Sequence, residues 1–354
     1  MKPNLLKNMK GKVILGIDGM VDQVWQMVQT RASATEYKLM PHMKDFGQEI
    51  VDRGGGGLAK ELVTKRRVSG GFTVNTGRAV INLGVDTILI GIFGDDRLEP
   101  VFEEFKGKHL ISLGEPSISN ILEFPDGKIM LPNLENQFKL TWESMEPVLT
   151  KLIESEENIF ANVDIIGLGY WSSMPDFDNI LAGIVNLCIK HGKPKRMFFD
   201  LANITKKSSQ ALEQTLKHMK SLNEKIPMTI SLNEHEGNLI CKQYKIEYDD
   251  DRLIATKAIA QLRDAIGIDE MVIHTPHFAV LASLEEGSHC EIQDYVQNPV
   301  KTTGAGDSFN GGYIAACLGG HDAAGRLKIA NAVTRHYVTH GYPPLQMHTI
   351  LDKI

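Results

Sequence analysis

Short apolar runs alternate along the chain with longer segments of helical periodicity. The runs are Val13–Ile17, Thr87–Ile92, Ile165–Leu168, Met197–Asp200, Met228–Leu232 and Met271–Thr275. Each is nearly continuous in apolar residues, which predicts strands buried on both faces. Between them, Thr73–Leu83, Asp176–His191, Ser209–Asn223 and Asp251–Ala265 predict helices. Alternation at this spacing predicts βαβ units: a largely parallel central sheet flanked by helices. The C-terminal third changes character. Ala305–Leu318 and Ala323–His340 predict two consecutive helices, the first rich in Gly and Ala and therefore closely packed.

Two stretches break the alternation. Gln23–Val68 is long, of mixed polarity, and contains the run Gly54–Gly57. Ser112–Leu140 holds Ile118–Phe124, then Pro125-Asp126-Gly127-Lys128, then Ile129–Leu131. Asp-Gly between two such segments predicts a hairpin. The expected architecture is one α/β domain over residues 1–354, with a small β lid built from insertions at about 23–68 and 112–140.

Composition narrows the function class. At 354 residues the chain has the length of two average domains or one large α/β domain. Hydrophobic residues make up 42% and charged residues 23%, which excludes a disordered or fibrous chain. With 38 Lys+Arg against 44 Asp+Glu the net charge is −6, which argues against a nucleic-acid partner. No window of eighteen residues is both apolar and free of charge, and Val13–Ile17 is too short for a signal-peptide core. No membrane partner is expected. Cys188, Cys241, Cys290 and Cys317 are scattered without a CxxC pair, so reduced thiols and a cytoplasmic location are expected.

The most informative segment is Lys301-Thr302-Thr303-Gly304-Ala305-Gly306-Asp307, followed by Ser308-Phe309-Asn310-Gly311-Gly312. Successive backbone N–H groups at a helix start form an anion-binding nest, and the helix dipole adds to it. Asp307 falls in the first helical turn. A carboxylate there suits the removal of a proton from a hydroxyl attacking a phosphoryl group. Taken alone, the same residue also reads as a cap after a glycine turn. Asn233-x-x-Glu236 after a strand likewise reads, by spacing, as a helix-capping pair.

Thr302–Gly312 resembles the C-terminal signature of the ribokinase-like, or PfkB, sugar kinases. Ser69-Gly70-Gly71-Phe72-Thr73-Val74-Asn75, with Ala79 and Leu83-Gly84, resembles their Gly-Gly-x-x-x-Asn substrate loop and its helix. Ile90-Gly91-Ile92-Phe93-Gly94-Asp95-Asp96, Asn233-Glu234-His235-Glu236 and Ala330-Asn331-Ala332 resemble three further elements in the same order. The resemblance spans residues 12 to 345. It implies a ribokinase-like fold and ATP- and Mg²⁺-dependent phosphorylation of a hydroxyl on a sugar-like small molecule. Asp307 would be the catalytic base, and Gly304, Ala305 and Gly306 the anion hole. Gly70, Gly71 and Asn75 would contact the sugar, together with Asp22 or, as the second choice, Asp18. Asn233 and Glu236 would organise Mg²⁺ through water. The nucleotide would lie against Asn233, Thr275, Thr303, Gly304, Gly306 and Asn331. A homodimer through the lid is expected by analogy.

Two departures from the family pattern stand out. Lys301 occupies the place where the family often has an Asp that helps hold a monovalent cation, so either its ammonium takes the ion's region or the ion site is absent. The loop His274-Thr275-Pro276-His277-Phe278-Ala279 lacks the glycines that let amides approach the nucleotide phosphates, and Pro276 removes a donor. That loop keeps a weakly catalytic ligand-binding regulator as an alternative. The Gly16–Asp22 spacing and the His274-Thr275 pair resemble the ADP-dependent sugar kinase branch of the superfamily, and a nucleoside kinase is another alternative. A kinase for an already phosphorylated sugar is a further one. Gly54–Gly57 is no phosphate loop, because Ala59 stands where a Gly before Lys60 is required. His336 and His340 lack the Glu of a zinc helix. Lys65-Arg66-Arg67 reads as a solvated face that could touch an anionic substrate.

Overall fold

A computed structural model describes residues 9–107, 109–155 and 158–353; the start of the expected 1–354 domain lies outside the described residues. The strands in chain order are β1 (Lys12–Gly16), β2 (Met20–Arg31), β3 (Tyr37–Leu39), β4 (Glu61–Gly70) and β5 (Asp86–Gly91). There follow β6 (His109–Ser112), β7 (Ser117–Phe124), β8 (Gly127–Asn133), β9 (Ile165–Gly169) and β10 (Arg196–Asp200). The last are β11 (Met228–Asn233), β12 (Glu270–His274), β13 (Phe278–Ser283) and β14 (Gly287–Ile292). The helices are α1 (Met43–Asp52), α2 (Phe72–Asn82), α3 (Glu135–Phe138), α4 (Trp142–Glu154) and α5 (Phe177–His191). They continue with α6 (Ser209–Asn223), α7 (Glu234–Gln243), α8 (Arg252–Ile266), α9 (Ala305–Leu318) and α10 (Ala323–His340).

The apolar runs build a nine-stranded sheet in the order β14-β13-β12-β11-β10-β9-β1-β5-β6. All its pairings are parallel except those of β13 and β14, an antiparallel edge that the run pattern did not single out. Successive side chains feed two cores. Ile14 and Ile166 pack with helices α4 to α8, whereas Val13, Leu15 and Ile165 pack with α2, α9 and α10. A strand covered on both sides has no polar face to show, which is why these runs do not alternate. Helix α9 fits between α2 and α10 through glycine. A β-carbon on Gly311 would lie 2.5 Å from that of Ala79, and one on Gly312 3.0 Å from the Cα of Ala330.

The lid is a second, five-stranded sheet. Strand β2 runs antiparallel to β4 and parallel to β7, and β8 completes the hairpin with β7. It begins at Met20, three residues before the expected insertion, because β2 leaves the main sheet directly after β1. The hairpin turn is Pro125-Asp126, with Phe124 opposite Gly127. This places Lys128 inside β8, opposite Glu123.

The chain runs from β1 outward to β5 and β6, then returns to β9 and runs the other way to β12. The order reverses between β1 and β9. At such a switch point the loops leaving adjacent strands diverge, and ligands bind at the carboxyl ends of the strands.

Candidate active site

Three carboxylates gather at that crevice. Asp18 follows β1 and is fully buried. Its Oδ1 accepts the Thr73 backbone N–H at 2.8 Å and the Thr73 hydroxyl at 2.5 Å, while Oδ2 has no partner. Burial pushes its pKa up to about 6. A β-carbon on Gly71 would fall 1.8 Å from Asp18 Oδ2, and Gly71 has φ 97°, so only glycine fits there. Asp18 therefore anchors the Gly70-Gly71 turn and the start of α2. Four residues on, Asp22 lines the cleft between lid and sheet, a cavity of about 1120 Å³. Burial raises its pKa, and the charges of Lys301, Lys128 and Arg66 pull it back down.

Asp307 enters from the other side, in the first turn of α9. Gly304 caps that helix with φ 90°, a left-handed conformation that turns the chain sharply into it. Asn75 Nδ2 donates to Asp307 Oδ2 at 3.1 Å, tying the substrate helix to the carboxylate. Arg78, one turn further along α2, donates to Asn75 Oδ1 at 3.1 Å and is held by Glu104. Burial and the neighbouring Asp200 push the Asp307 pKa well above the ordinary range, against the Asn75 hydrogen bond.

Two residues here, Asp200 and Tyr170, carried no motif, and His274 belongs to the glycine-free loop. Asp200 ends β10; it accepts Ala202 N–H at 2.8 Å and Asn310 Nδ2 at 2.7 Å. Its place at the carboxyl end of a central strand was the available signal. Tyr170 follows β9 with φ 65°, a strained conformation for a tyrosine, in the field of Asp18, Asp307, Asp22 and Asp200. His274 packs on Phe309 at 4.7 Å, and a β-carbon on Gly306 would approach its Cε1 to 3.2 Å. Burial lowers the His274 pKa to about 4, so it supports the glycine turn as a neutral ring.

The remaining expected residues lie around this centre. Asn233 and Glu236 form a reciprocal capping box on α7, with Glu236 N–H to Asn233 Oδ1 at 3.0 Å and Asn233 N–H to Glu236 Oε2 at 3.1 Å. Burial and Asp200 raise Glu236 to about 8. Among the described residues neither Asp200 nor Glu236 has an ion-pair partner, so the two could hold a hydrated divalent ion. Among the described residues, no three acidic, His or Cys side chains converge as direct metal ligands. Thr275 Oγ1 accepts the N–H groups of His277 and Phe278, both at 3.1 Å, and so closes the glycine-free loop. Asn331 stands apart against β14. Its Nδ2 donates to the Glu291 carbonyl at 3.3 Å, and its buried Oδ1 has no partner. Thr303 accepts from Lys128 of the lid through Oγ1 and from the Tyr337 hydroxyl through its carbonyl.

A switch-point crevice under a β lid, with a buried carboxylate beside a glycine-built helix start, is the arrangement of ribokinase-like carbohydrate kinases. Solved structures of that class share the fold. A putative ribokinase II of E. coli in its apo form superposes with TM-score 0.64 and 17% identity, covering 97% of this chain and 98% of that one. The ribokinase of Cryptococcus neoformans in complex with ADP gives TM-score 0.66 and 15% identity over 98% and 99%. Within the class, the chain belongs to the prokaryotic ketohexokinase family, whose sequence model matches residues 3–353. A ketohexokinase of Haloferax volcanii is 27% identical over 340 residues, which covers 94% of this chain and 88% of the relative. The protein is a carbohydrate kinase that phosphorylates a sugar, which displaces the regulator alternative.

Proposed function

We propose that the enzyme transfers the γ-phosphoryl group of ATP to a hydroxyl of a ketohexose, with Asp307 as the general base. The observation that carries this reading is the Asn75–Asp307 contact, which joins the substrate helix to the start of α9. Asn75 holds Oδ2 and leaves Oδ1 to face the acceptor. The sugar oxygen bonds to phosphorus as the bond to the β-phosphate oxygen breaks; Asp307 takes the hydroxyl proton and ADP leaves. The N–H groups at the start of α9 offset the charge on the transferred group. A raised pKa makes Asp307 a stronger proton acceptor once ionised.

Asp22 would accept hydrogen bonds from sugar hydroxyls, a role supported by its position in the cleft, with Asp18 holding the loop behind it. Glu236 and Asn233, with Asp200 beside them, would hold Mg²⁺ through water. When bound, that ion would offset phosphate charge. The unpartnered Oδ1 of Asn331 suits the amino group of an adenine base. Exclusion of water by the lid would favour transfer over hydrolysis.

The test is turnover with ATP or ADP as donor against ketohexoses, aldoses, nucleosides and phosphorylated sugars. Ketohexose with ATP should be the best pair; a nucleoside or ADP in that place overturns the reading. Asp307→Asn should lower kcat by roughly 10²–10⁴-fold with the sugar Kd nearly unchanged. The sign of the pH effect follows, since the base works only when ionised. Activity should be lost as pH falls through the raised pKa, so the acid limb lies above the ordinary carboxylate range. A wild-type rate that is flat down to that range removes Asp307 from the role.

A further inference from the structure

We propose that Lys128 and Lys301, with Arg66 beside them, form a phosphate-monoester site on the sugar side of the anion hole. Its occupant is the phosphoryl group as it becomes the sugar phosphate. The inference rests on the kinase reading and deepens it.

Three placements carry it. Lys128 reaches from the lid to Thr303 Oγ1, next in the chain to Gly304. Lys301, two residues before Thr303, holds its ammonium over the Tyr337 ring, 5.2 Å from the centroid. Tyr337 in turn donates to the Thr303 carbonyl, so both ammonium groups are fixed to one short stretch of backbone. Arg66 comes from β4, and all three cations line the same cleft as Asp22.

The other cations of the cleft already have carboxylate partners. Lys65 and Arg66 share Glu123, Arg67 pairs with Glu99 and Arg78 with Glu104. Lys128 sits opposite Glu123 in the hairpin, yet that carboxylate is taken. Among the described residues, neither Lys128 nor Lys301 makes an ion pair. Burial and the charges of Arg78, Arg66 and Lys128 act together to lower the Lys301 pKa, and the charge of Asp22 opposes them without cancelling the shift, a sign of cations in excess of negative charge. A neutral sugar brings no further counter-charge. A dianion between the two ammonium groups turns their repulsion into attraction, and the reaction delivers one there. Because Lys128 belongs to the lid, this site is complete only when the lid is down.

The same chemistry would serve a phosphate already present on the acceptor, and the experiment separates the two sources. Lys128→Met, Lys301→Met and Lys128→Arg are made in the full chain, with melting curves to confirm folding. Initial rates are measured with fructose and with fructose 6-phosphate as acceptors, and binding of fructose 1-phosphate is measured by calorimetry. Each Met variant should lower kcat with fructose on the order of 10²-fold, with its KM changed less than about twofold. Both should weaken fructose 1-phosphate binding at least about tenfold, and Lys128→Arg should keep most of the wild-type rate. Unchanged kcat and product binding in both Met variants overturn the proposal. So does a rise in fructose KM alone, which would make these lysines sugar contacts. A wild-type enzyme that uses only fructose 6-phosphate, with variants that raise its KM, assigns the cations to a phosphate on the substrate and also overturns it. If wild type turns over no acceptor, the kinase reading fails. Calorimetry still decides the site: phosphate-ester binding lost in the variants supports it, and equal binding overturns it.

Discussion

Asp18 and Asp22 lie four residues apart, and burial alone divides their work. The first is enclosed and spends its hydrogen bonds on Thr73; the second opens onto the cleft. Spacing after a strand could nominate both but not rank them by contact, because solvent access is decided by Gly71 and α2 closing over Asp18. Lys301 carries a sequence expectation that a rate measurement can test. Its ammonium feels the charges of Arg78, Arg66 and Lys128, with Asp22 opposing them, close to the start of α9. Two unit charges about 4 Å apart repel by roughly 4 kcal/mol at an effective dielectric of 20. Potassium is therefore expected to leave the rate unchanged. Initial rates with and without potassium, at ionic strength held constant with a bulky organic cation, check this. A saturable, several-fold activation would show a surviving ion site.

At the scale of the element, α7 starts with a capping pair to which the proposed function adds a second role, the holding of Mg²⁺ through water. Asn233 and Glu236 close the helix start, and the same Glu faces Asp200 with a pKa raised to about 8. Glu236→Gln separates the roles. A Gln oxygen still accepts the Asn233 N–H, so stability should change by less than about 1 kcal/mol. The Mg²⁺ concentration for half-maximal rate should rise and kcat should fall. Thermal melts beside a Mg²⁺ titration of rate test this; an unchanged titration leaves Glu236 as a cap alone. The long helices α5, α6, α8, α9 and α10 were legible to within one residue, since period and capping residues agree. Strands β13 and β14 were not. An antiparallel edge follows β12 without the helix that marks a parallel crossover.

The lid of the whole molecule reaches Thr303 through Lys128, and β7 and β8 expose Ile118 and Leu131 on the face away from the cleft. A homodimer through the lid is expected from these apolar side chains. Light scattering should give twice the mass of the chain, and Leu131→Glu should shift it to one chain without lowering the melting temperature. A wild-type protein that stays single at working concentration rules the pairing out.

The run pattern determined the layered α/β architecture, because a strand buried on both faces and a helix buried on one leave different periodicities. Local spacing also determined the glycine turn before α9 and the capping pair of α7. Tertiary structure alone decided what those residues meet. Asn75 and Asp307 are 232 positions apart in the chain. Asp200, Arg78, Tyr170 and Lys128 belong to no local pattern and enter the site only because β1 and β9 part at the switch point and the lid folds back. Contacts between distant segments depend on strand order and on packing, and neither leaves a trace in the local periodicity of the chain.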